Sequence, residues 1–142
     1  MSLLKVVRFP GAALKTRAET VMKVTEADFA KYNVVLFGDP GSNRWIGRLV
    51  GRLPVKWSRD TMTVGDKSFP AANHLPALVY PNPIAASKYV VLNSGLTIAE
   101  NSYTSDYSMP TLGDIAVLQV QPESETPTVP FAGFFDETWR LR

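Results

Sequence analysis

The apolar positions of the chain fall into short runs that predict strands separated by turns. Val34–Phe37 is the first clear run, and Asp114–Val120 is the last. Between them, Pro76–Tyr80 and Tyr89–Leu92 are continuously apolar. Because continuous apolar strands are typical of sheets covered on both faces, these runs predict a mostly parallel sheet between layers of helices.

Two segments have the features of helices. Thr25–Asp28 is an acidic variant of a capping box, and Val24 and Phe29 have the spacing of a hydrophobic staple, so a short helix is predicted there. Residues 44–53 carry an apolar stripe at helical spacing, and Pro54 ends that helix. The stripe consists of Trp45, Ile46, Leu49, Val50 and Leu53. A third short helix is predicted between Thr97 and Tyr107.

The remaining segments predict a hairpin, a docked tail and an ambiguous N-terminus. Within residues 55–69, Gly65-Asp66 is a good two-residue turn between alternating runs. The aromatic tail Phe131–Leu141 should dock on the body, because its exposed rings would form a sticky patch. Residues 1–23 form an N-terminal segment of uncertain structure, in which Leu14–Val24 fits both a strand and a helical face. An extended conformation is favoured for Glu19–Val24.

These elements together predict an α/β fold. The preferred arrangement has three layers, α/β/α, around a mostly parallel sheet, and is flavodoxin-like or Rossmann-like. The hairpin would be an added antiparallel piece. A smaller sandwich-like arrangement is the alternative, if Leu14–Val24 and the hairpin pair in a second sheet.

Length and composition indicate a single globular domain over residues 1–142. Hydrophobic residues make up 45% of the chain and charged residues 20%. The net charge of +2 is too small to indicate a nucleic-acid partner, and no apolar run approaches the ~20 residues of a membrane helix. With no cysteine and one histidine the sequence offers no metal-ligand spacing, so no metal or cofactor is predicted.

Short polar side chains follow three of the predicted strands, in the turns Gly38–Asn43, Pro81–Pro83 and Asn93–Gly95. If the strands are parallel, these turns meet at one edge of the sheet, where open α/β sheets bind ligands. Six residues are then candidates for binding a small ligand: Asp39, Ser42, Asn43, Asn82, Asn93 and Ser94. Ser42 or Asn43 would also cap the next helix, whose free N–H groups favour an anion.

The first of these turns has a structural interpretation as well. The sequence GDPGSN matches neither the Walker loop nor the dinucleotide fingerprint, and Asp39 would repel a phosphate. Gly, Pro, Asn and Ser are also the usual residues of tight turns. A turn that caps the following helix is therefore the commoner role for this sequence.

A hydrolase site at Ser94 and His74 is a sharper hypothesis, and the sequence argues against it. A nucleophile elbow, G-x-S-x-G, would need glycine where Leu92 and Leu96 stand. His74 precedes the strand Pro76–Tyr80, so parallel strands would place it at the opposite edge from Ser94, out of reach for a triad. No catalytic residue is assigned, and His74 is interpreted as a strand-entry residue bonded to the backbone.

Basic and aromatic residues of the second helix allow two interpretations. Arg44, Arg48 and Arg52 form a stripe that could bind an acidic partner, although a solvated helix face is the commoner role. Trp45 and Trp57 are interpreted as core residues before they are considered as sugar-binding platforms.

Five motifs follow one another along the chain: VVLFGDPGSNRWIGRL, LPVKW, HLPALVYPNP, KYVVLNSG and FAGFFDETW. Together they resemble the C-terminal domain of large exported bacterial α/β-hydrolase proteins of the prolyl oligopeptidase type, and the likeness runs from about Val24 to Leu141. The resemblance implies a domain excised from a longer periplasmic or extracellular protein. Its partner would be the hydrolase domain of the same parent chain, which would also carry the nucleophile.

Three functions are compatible with these features. The preferred one is a non-catalytic accessory domain of a secreted serine peptidase or esterase, which docks on the hydrolase domain or shapes substrate access. The second is a module that binds a small anion, nucleotide or sugar through the strand-end loops. The third is an independent hydrolase, which requires Ser94 and His74 to lie close together.

Overall fold

The computed structural model describes residues 5–9, 17–20, 23–93, 113–123 and 127–142. Within these ranges the protein is mostly β, with ten strands and two short helices. The strands are β1 (Lys5–Phe9), β2 (Arg17–Thr20), β3 (Asn33–Leu36), β4 (Lys56–Trp57), β5 (Thr61–Val64), β6 (Lys67–Pro70), β7 (His74–Pro81), β8 (Tyr89–Asn93), β9 (Ile115–Gln119) and β10 (Thr128–Gly133). The helices are α1 (Glu26–Lys31) and α2 (Arg44–Leu49), and a 3₁₀ turn (Val50–Arg52) continues α2.

Seven strands form one large sheet in the order β10-β9-β7-β8-β3-β1-β2. Among the described pairs of this sheet, β3 and β8 are parallel and the others are antiparallel. The expected three-layer α/β/α fold with a mostly parallel, flavodoxin-like or Rossmann-like sheet is therefore wrong. The described part of the chain has a mixed and mainly antiparallel sheet with two short helices.

The connection between β7 and β8 explains this difference. Only residues 82–88 join these two strands. A parallel pair needs a crossover of about a dozen residues or more, so a link this short forces β7 and β8 to run antiparallel. Tyr80 accordingly faces Val90, and Ala77 faces Asn93. β3 and β8, in contrast, are separated by residues 37–88, which are long enough for a parallel pairing.

The predicted hairpin is present as part of a second, three-stranded sheet. β5 pairs with β6 around Gly65, whose φ of 60° suits the first central position of a type II′ turn. β4 pairs with the other side of β5, so the sheet order is β4-β5-β6. The sandwich-like alternative is also wrong in its pairing, because β2 joins β1 in the large sheet.

One face of the large sheet forms the core with the helices and the small sheet. Alternate residues of four central strands are buried there: Val34, Leu36, Leu78, Val90, Leu92, Ile115 and Val117. They belong to one contiguous cluster with Phe29 of α1, Ile46 of α2 and Met62 of β5, each 0% exposed. Burial of each such side chain stabilises the fold by roughly 1.5–3 kcal/mol. Hydrophobic burial thus holds α1, α2 and the small sheet on a single face.

The aromatic tail docks on this core, as predicted, apart from one ring. Phe135 is buried, and its ring contacts Tyr80 and Trp139 edge-on or tilted at 5.4 and 5.9 Å. Leu141 forms a bridge with Phe135 and packs against the core. Phe134 remains 56% exposed.

Of three other expectations, one lies outside the described residues and two can be compared with the structure. The predicted helix Thr97–Tyr107 lies outside the described residues. Near the N-terminus, β2 covers Arg17–Thr20, slightly earlier than the extended segment expected over Glu19–Val24. The expected helix over residues 44–53 is confirmed, although its last turn is 3₁₀.

Candidate functional site

Asn43 is the buried cap of α2. Its Oδ1 accepts hydrogen bonds from the N–H groups of Trp45 at 2.9 Å and Ile46 at 3.4 Å. Its Nδ2 donates to the carbonyl oxygen of Phe37 at 2.9 Å. Asparagine is among the preferred N-cap residues because its short side chain satisfies free N–H groups of the first turn. Asn43 is 0% exposed, and both the oxygen and the nitrogen of its amide form hydrogen bonds that stabilise the fold.

Asp39 closes the glycine turn on itself. Its carboxylate accepts hydrogen bonds from Gly41 N–H at 2.7 Å, from Ser42 N–H at 3.0 Å and from the Ser42 hydroxyl at 2.9 Å. Partial burial raises the pKa of Asp39, but the hydrogen bonds from Ser42 and Gly41 outweigh it and hold that pKa below its usual value. The turn therefore presents an ionised carboxylate, which opposes the binding of a phosphate.

The candidate ligand-binding residues do not converge at one edge. β3 and β8 end at the same edge of the sheet, which places the turn 38–43 and Asn93 there. β7 runs in the opposite direction, so Asn82 lies at the other edge. Ser94 lies outside the described residues. The predicted meeting of three turns at one edge is wrong, because it required β7 to be parallel to its neighbours.

Asn82 has a structural role at its own edge. It is 1% exposed, and its Nδ2 donates to the carbonyl oxygen of Phe29 at 3.0 Å. Its Oδ1 accepts from the N–H of Ile84 at 2.9 Å. Asn82 therefore ties the β7–β8 connection to the end of α1.

His74 begins β7 at the edge where β8 ends, because Ala77 faces Asn93. The expectation that His74 lies at the far edge is therefore wrong, and with it the geometric argument against a pair with Ser94. The His74 side chain is buried, its Nδ1 donates to the carbonyl oxygen of Pro70 at 2.9 Å, and its ring packs on Phe69. The interpretation of His74 as a strand-entry residue bonded to the backbone is confirmed.

The three arginines of the α2 stripe fasten the helix to its neighbours. Each guanidinium contacts a different partner in chain order: the carbonyl oxygen of Val24, the carboxylate of Glu26 and the carbonyl oxygen of Pro83. Arg44 and Arg48 also flank the ring of Trp45 at 5.4 and 4.9 Å. The stripe is exposed, but it connects α2 to the residue Val24 before α1, to the first turn of α1 and to the β7–β8 connection.

An open groove of about 440 Å³ lies between the 3₁₀ turn and the strands β4 and β5. Its lining combines apolar, hydroxyl and basic side chains from these elements: Val50, Gly51, Leu53, Lys56, Trp57, Ser58, Thr61 and Thr63. Trp57, interpreted from the sequence as a core residue, is half-buried and forms part of this lining. No local sequence pattern indicates the groove, because its walls come from separate elements that meet only in the folded chain.

Within the described part of the chain, no three or more His, Cys, Asp or Glu residues lie close enough to hold a metal ion. None of the helices in the same ranges is long and apolar enough to cross a membrane.

Comparisons with known proteins give no match: no protein-family model, no curated protein and no solved structure matches the chain. The resemblance to a hydrolase C-terminal domain therefore stays a prediction.

Proposed function

We propose that the chain is a non-catalytic accessory domain of a larger exported hydrolase of the serine peptidase or esterase type. The proposal rests on the observation that the polar side chains of the candidate site are engaged in hydrogen bonds within the fold. Asn43, Asn82 and His74 are buried and bonded to backbone groups, and Asp39 closes its own turn. The ordered motifs from about Val24 to Leu141 supply the link to a hydrolase.

A small-ligand module has less support from the strand-end loops. Such a module needs free polar groups that point at one place, and Asn43 and Asn82 lie at opposite edges with their amides engaged. An accessory domain needs no such group, since its contribution is a stable surface beside the hydrolase domain. In that role the hydrolase domain of the parent chain is the partner, and the location is periplasmic or extracellular.

The purified chain tests the absence of catalysis. We expect no hydrolysis of p-nitrophenyl acetate or of a fluorogenic prolyl peptide above the buffer rate. Turnover that is lost in both Ser94→Ala and His74→Gln, with unchanged thermal unfolding, would overturn the proposal. Turnover that survives both substitutions would point to a contaminating enzyme, which a second purification step removes before the assay is repeated.

The parent reading frame tests the accessory role. We expect the reading frame upstream of Leu4 to encode an export signal and a G-x-S-x-G motif. An Asp and a His should follow that motif before Leu4. The hydrolase domain encoded there, expressed separately, should bind this chain in trans by size-exclusion chromatography. An upstream frame that encodes no hydrolase would contradict the proposed function.

A further inference from the structure

We propose that the groove between the 3₁₀ turn and β4 binds an acidic segment of a partner polypeptide, with an apolar side chain anchored against Trp57. The inference rests on the proposed function for the identity of the partner, since it gives the accessory domain a docking surface. The chemistry of the surface is argued from the groove itself.

The floor of the groove is suited to one or two apolar side chains. Leu53 is 8% exposed, and Val50 and Trp57 pack against the core from its margin. A Cβ added to Gly51 would meet nothing within 4 Å, so the wall is open at that position. The volume of about 440 Å³ lies within the roughly 300–1,000 Å³ range of binding pockets. An extended peptide can therefore place a side chain on Trp57 without displacing the protein.

The segment that carries most of the groove has a net positive charge. Residues 39–60 contain two acidic side chains, Asp39 and Asp60, and five basic ones: Arg44, Arg48, Arg52, Lys56 and Arg59. The exposed Asp60 lies between Arg59 and Thr61 of the lining, so two basic residues and one acidic residue border the groove there. Glu26 pairs with Arg48. Lys56 lines the groove, and the exposed Arg59 follows Ser58 of its lining. Neither Lys56 nor Arg59 forms an ion pair with a residue that the structure describes.

The apolar floor and the basic surroundings of the groove determine which kind of partner fits it. Protein interfaces are enriched in Trp and Arg, and apolar anchors supply most of the binding energy at their centre. Charges at the rim mainly steer association and reject partners of the same sign. An apolar centre with a basic rim therefore fits an acidic peptide that carries a large apolar residue, and it disfavours a basic peptide.

The test is a titration of the ¹⁵N-labelled chain, followed by NMR, with two capped hexapeptides. One has the sequence Glu-Glu-Leu-Phe-Glu-Glu, and in the other every Glu is replaced by Lys. The acidic peptide should shift signals of residues 50–63 and should bind several-fold more weakly when salt is raised and screening increases. Equal binding of both peptides, shifts confined to other surfaces, or no shift at millimolar peptide would overturn the proposal.

Three variants locate the binding surface. Gly51→Trp fills the open wall and should abolish binding, while Lys56→Glu should weaken it by roughly 3- to 10-fold through its rim charge. Lys23→Glu is the matched control, because it makes the same change of charge at an exposed residue that does not line the groove. Thermal unfolding verifies that each variant folds. If Lys56→Glu and Lys23→Glu weaken peptide binding equally, the net charge of the protein explains the effect, and the assignment to the groove is overturned.

A competition experiment separates a peptide from other polyanions. Inorganic polyphosphate has negative charge but no apolar group, so it should compete weakly, and Gly51→Trp should leave its binding unchanged. Polyphosphate that displaces the acidic peptide completely, and that loses binding in Gly51→Trp, would overturn the assignment to a polypeptide. Hydrolysis by the isolated chain would end the proposed function without affecting these measurements, so the two ideas fail separately.

Discussion

The side-chain amide of Asn43 donates a hydrogen bond to the carbonyl oxygen of Phe37 across the turn between β3 and α2. The same amide accepts from the first turn of α2 through its oxygen. One buried side chain thus fixes the end of a central strand and the start of the helix that follows it.

The first prediction concerns this residue. Asn43→Ala leaves the Phe37 carbonyl and the N–H of Trp45 without these partners in a buried place, so the free energy of unfolding should fall by about 2–3 kcal/mol. Asn43→Ser keeps a capping oxygen and should lose less. Ser42→Ala removes an exposed hydroxyl bonded to Asp39 and should lose the least. Urea unfolding ranks the three variants, and an equal loss in all three would contradict the role given to Asn43.

The second prediction compares the two glycines of the α2 segment. A Cβ at Gly47 would lie 3.0 Å from the carbonyl oxygen of Pro40, whereas one at Gly51 would meet nothing within 4 Å. Gly51→Ala should therefore stabilise the protein by about 0.4–1 kcal/mol, because alanine restricts the unfolded chain. In Gly47→Ala the close contact should cancel or reverse that gain. Thermal unfolding measures both, and a larger gain at Gly47 would contradict the packing of the turn on α2.

The third prediction concerns Gly113, which precedes β9. Its φ is 64°, and a Cβ there would lie 2.3 Å from the carbonyl oxygen of Gly133. Gly113→Ala should cost about 2–4 kcal/mol, since both the backbone conformation and the contact with a backbone atom oppose a side chain. Gly133→Ala is the control, because its Cβ would meet Leu141 and Phe131 side chains that can move. Chemical denaturation should show the smaller loss in the control. The reverse order would contradict the close approach of Gly113 to the carbonyl oxygen of Gly133.

The fourth prediction concerns pH. The pKa of Asp39 is lowered in the folded protein, so its ionised form favours folding. This contribution is fully present above the ordinary value of 3.8 and is lost as the pH falls through the lower folded pKa. The stability difference between the wild type and Asp39→Asn should therefore shrink steadily below about pH 4. Unfolding curves measured from neutral to acidic pH decide this, and a difference that does not change with pH would contradict the lowered pKa.

Local features of the fold could be predicted from the sequence because they depend on neighbouring residues. The capping box at Thr25 and Asp28, the Gly65 turn and the apolar stripe of α2 all require only short-range spacing. The direction of the strands could not be obtained in this way, because the apolar runs of β7 and β8 have the same pattern in parallel and antiparallel sheets. The short connection 82–88 was the signal that distinguishes them.

The prediction of a ligand site depends on the same strand directions. The prediction that the turns containing Asn43 and Asn82 meet depends on β7 running parallel to β3 and β8, whereas β7 is antiparallel to β8. Their polarity reflects turn formation and capping, which also use Asn and Ser. The groove beside Trp57 cannot be predicted in the same way, because no local pattern joins Gly51, Lys56 and Thr61.

The parallel pairing of β3 with β8 has a consequence for the kinetics of folding. Val34 can pair with Val90 only when the chain closes the long loop formed by residues 37–88. Hairpins such as β5–β6 and β7–β8 close short loops, whereas this pairing closes a long one at a greater entropic cost. We expect both hairpins to form early and the docking of β3 on β8 to limit the rate at which the native sheet appears.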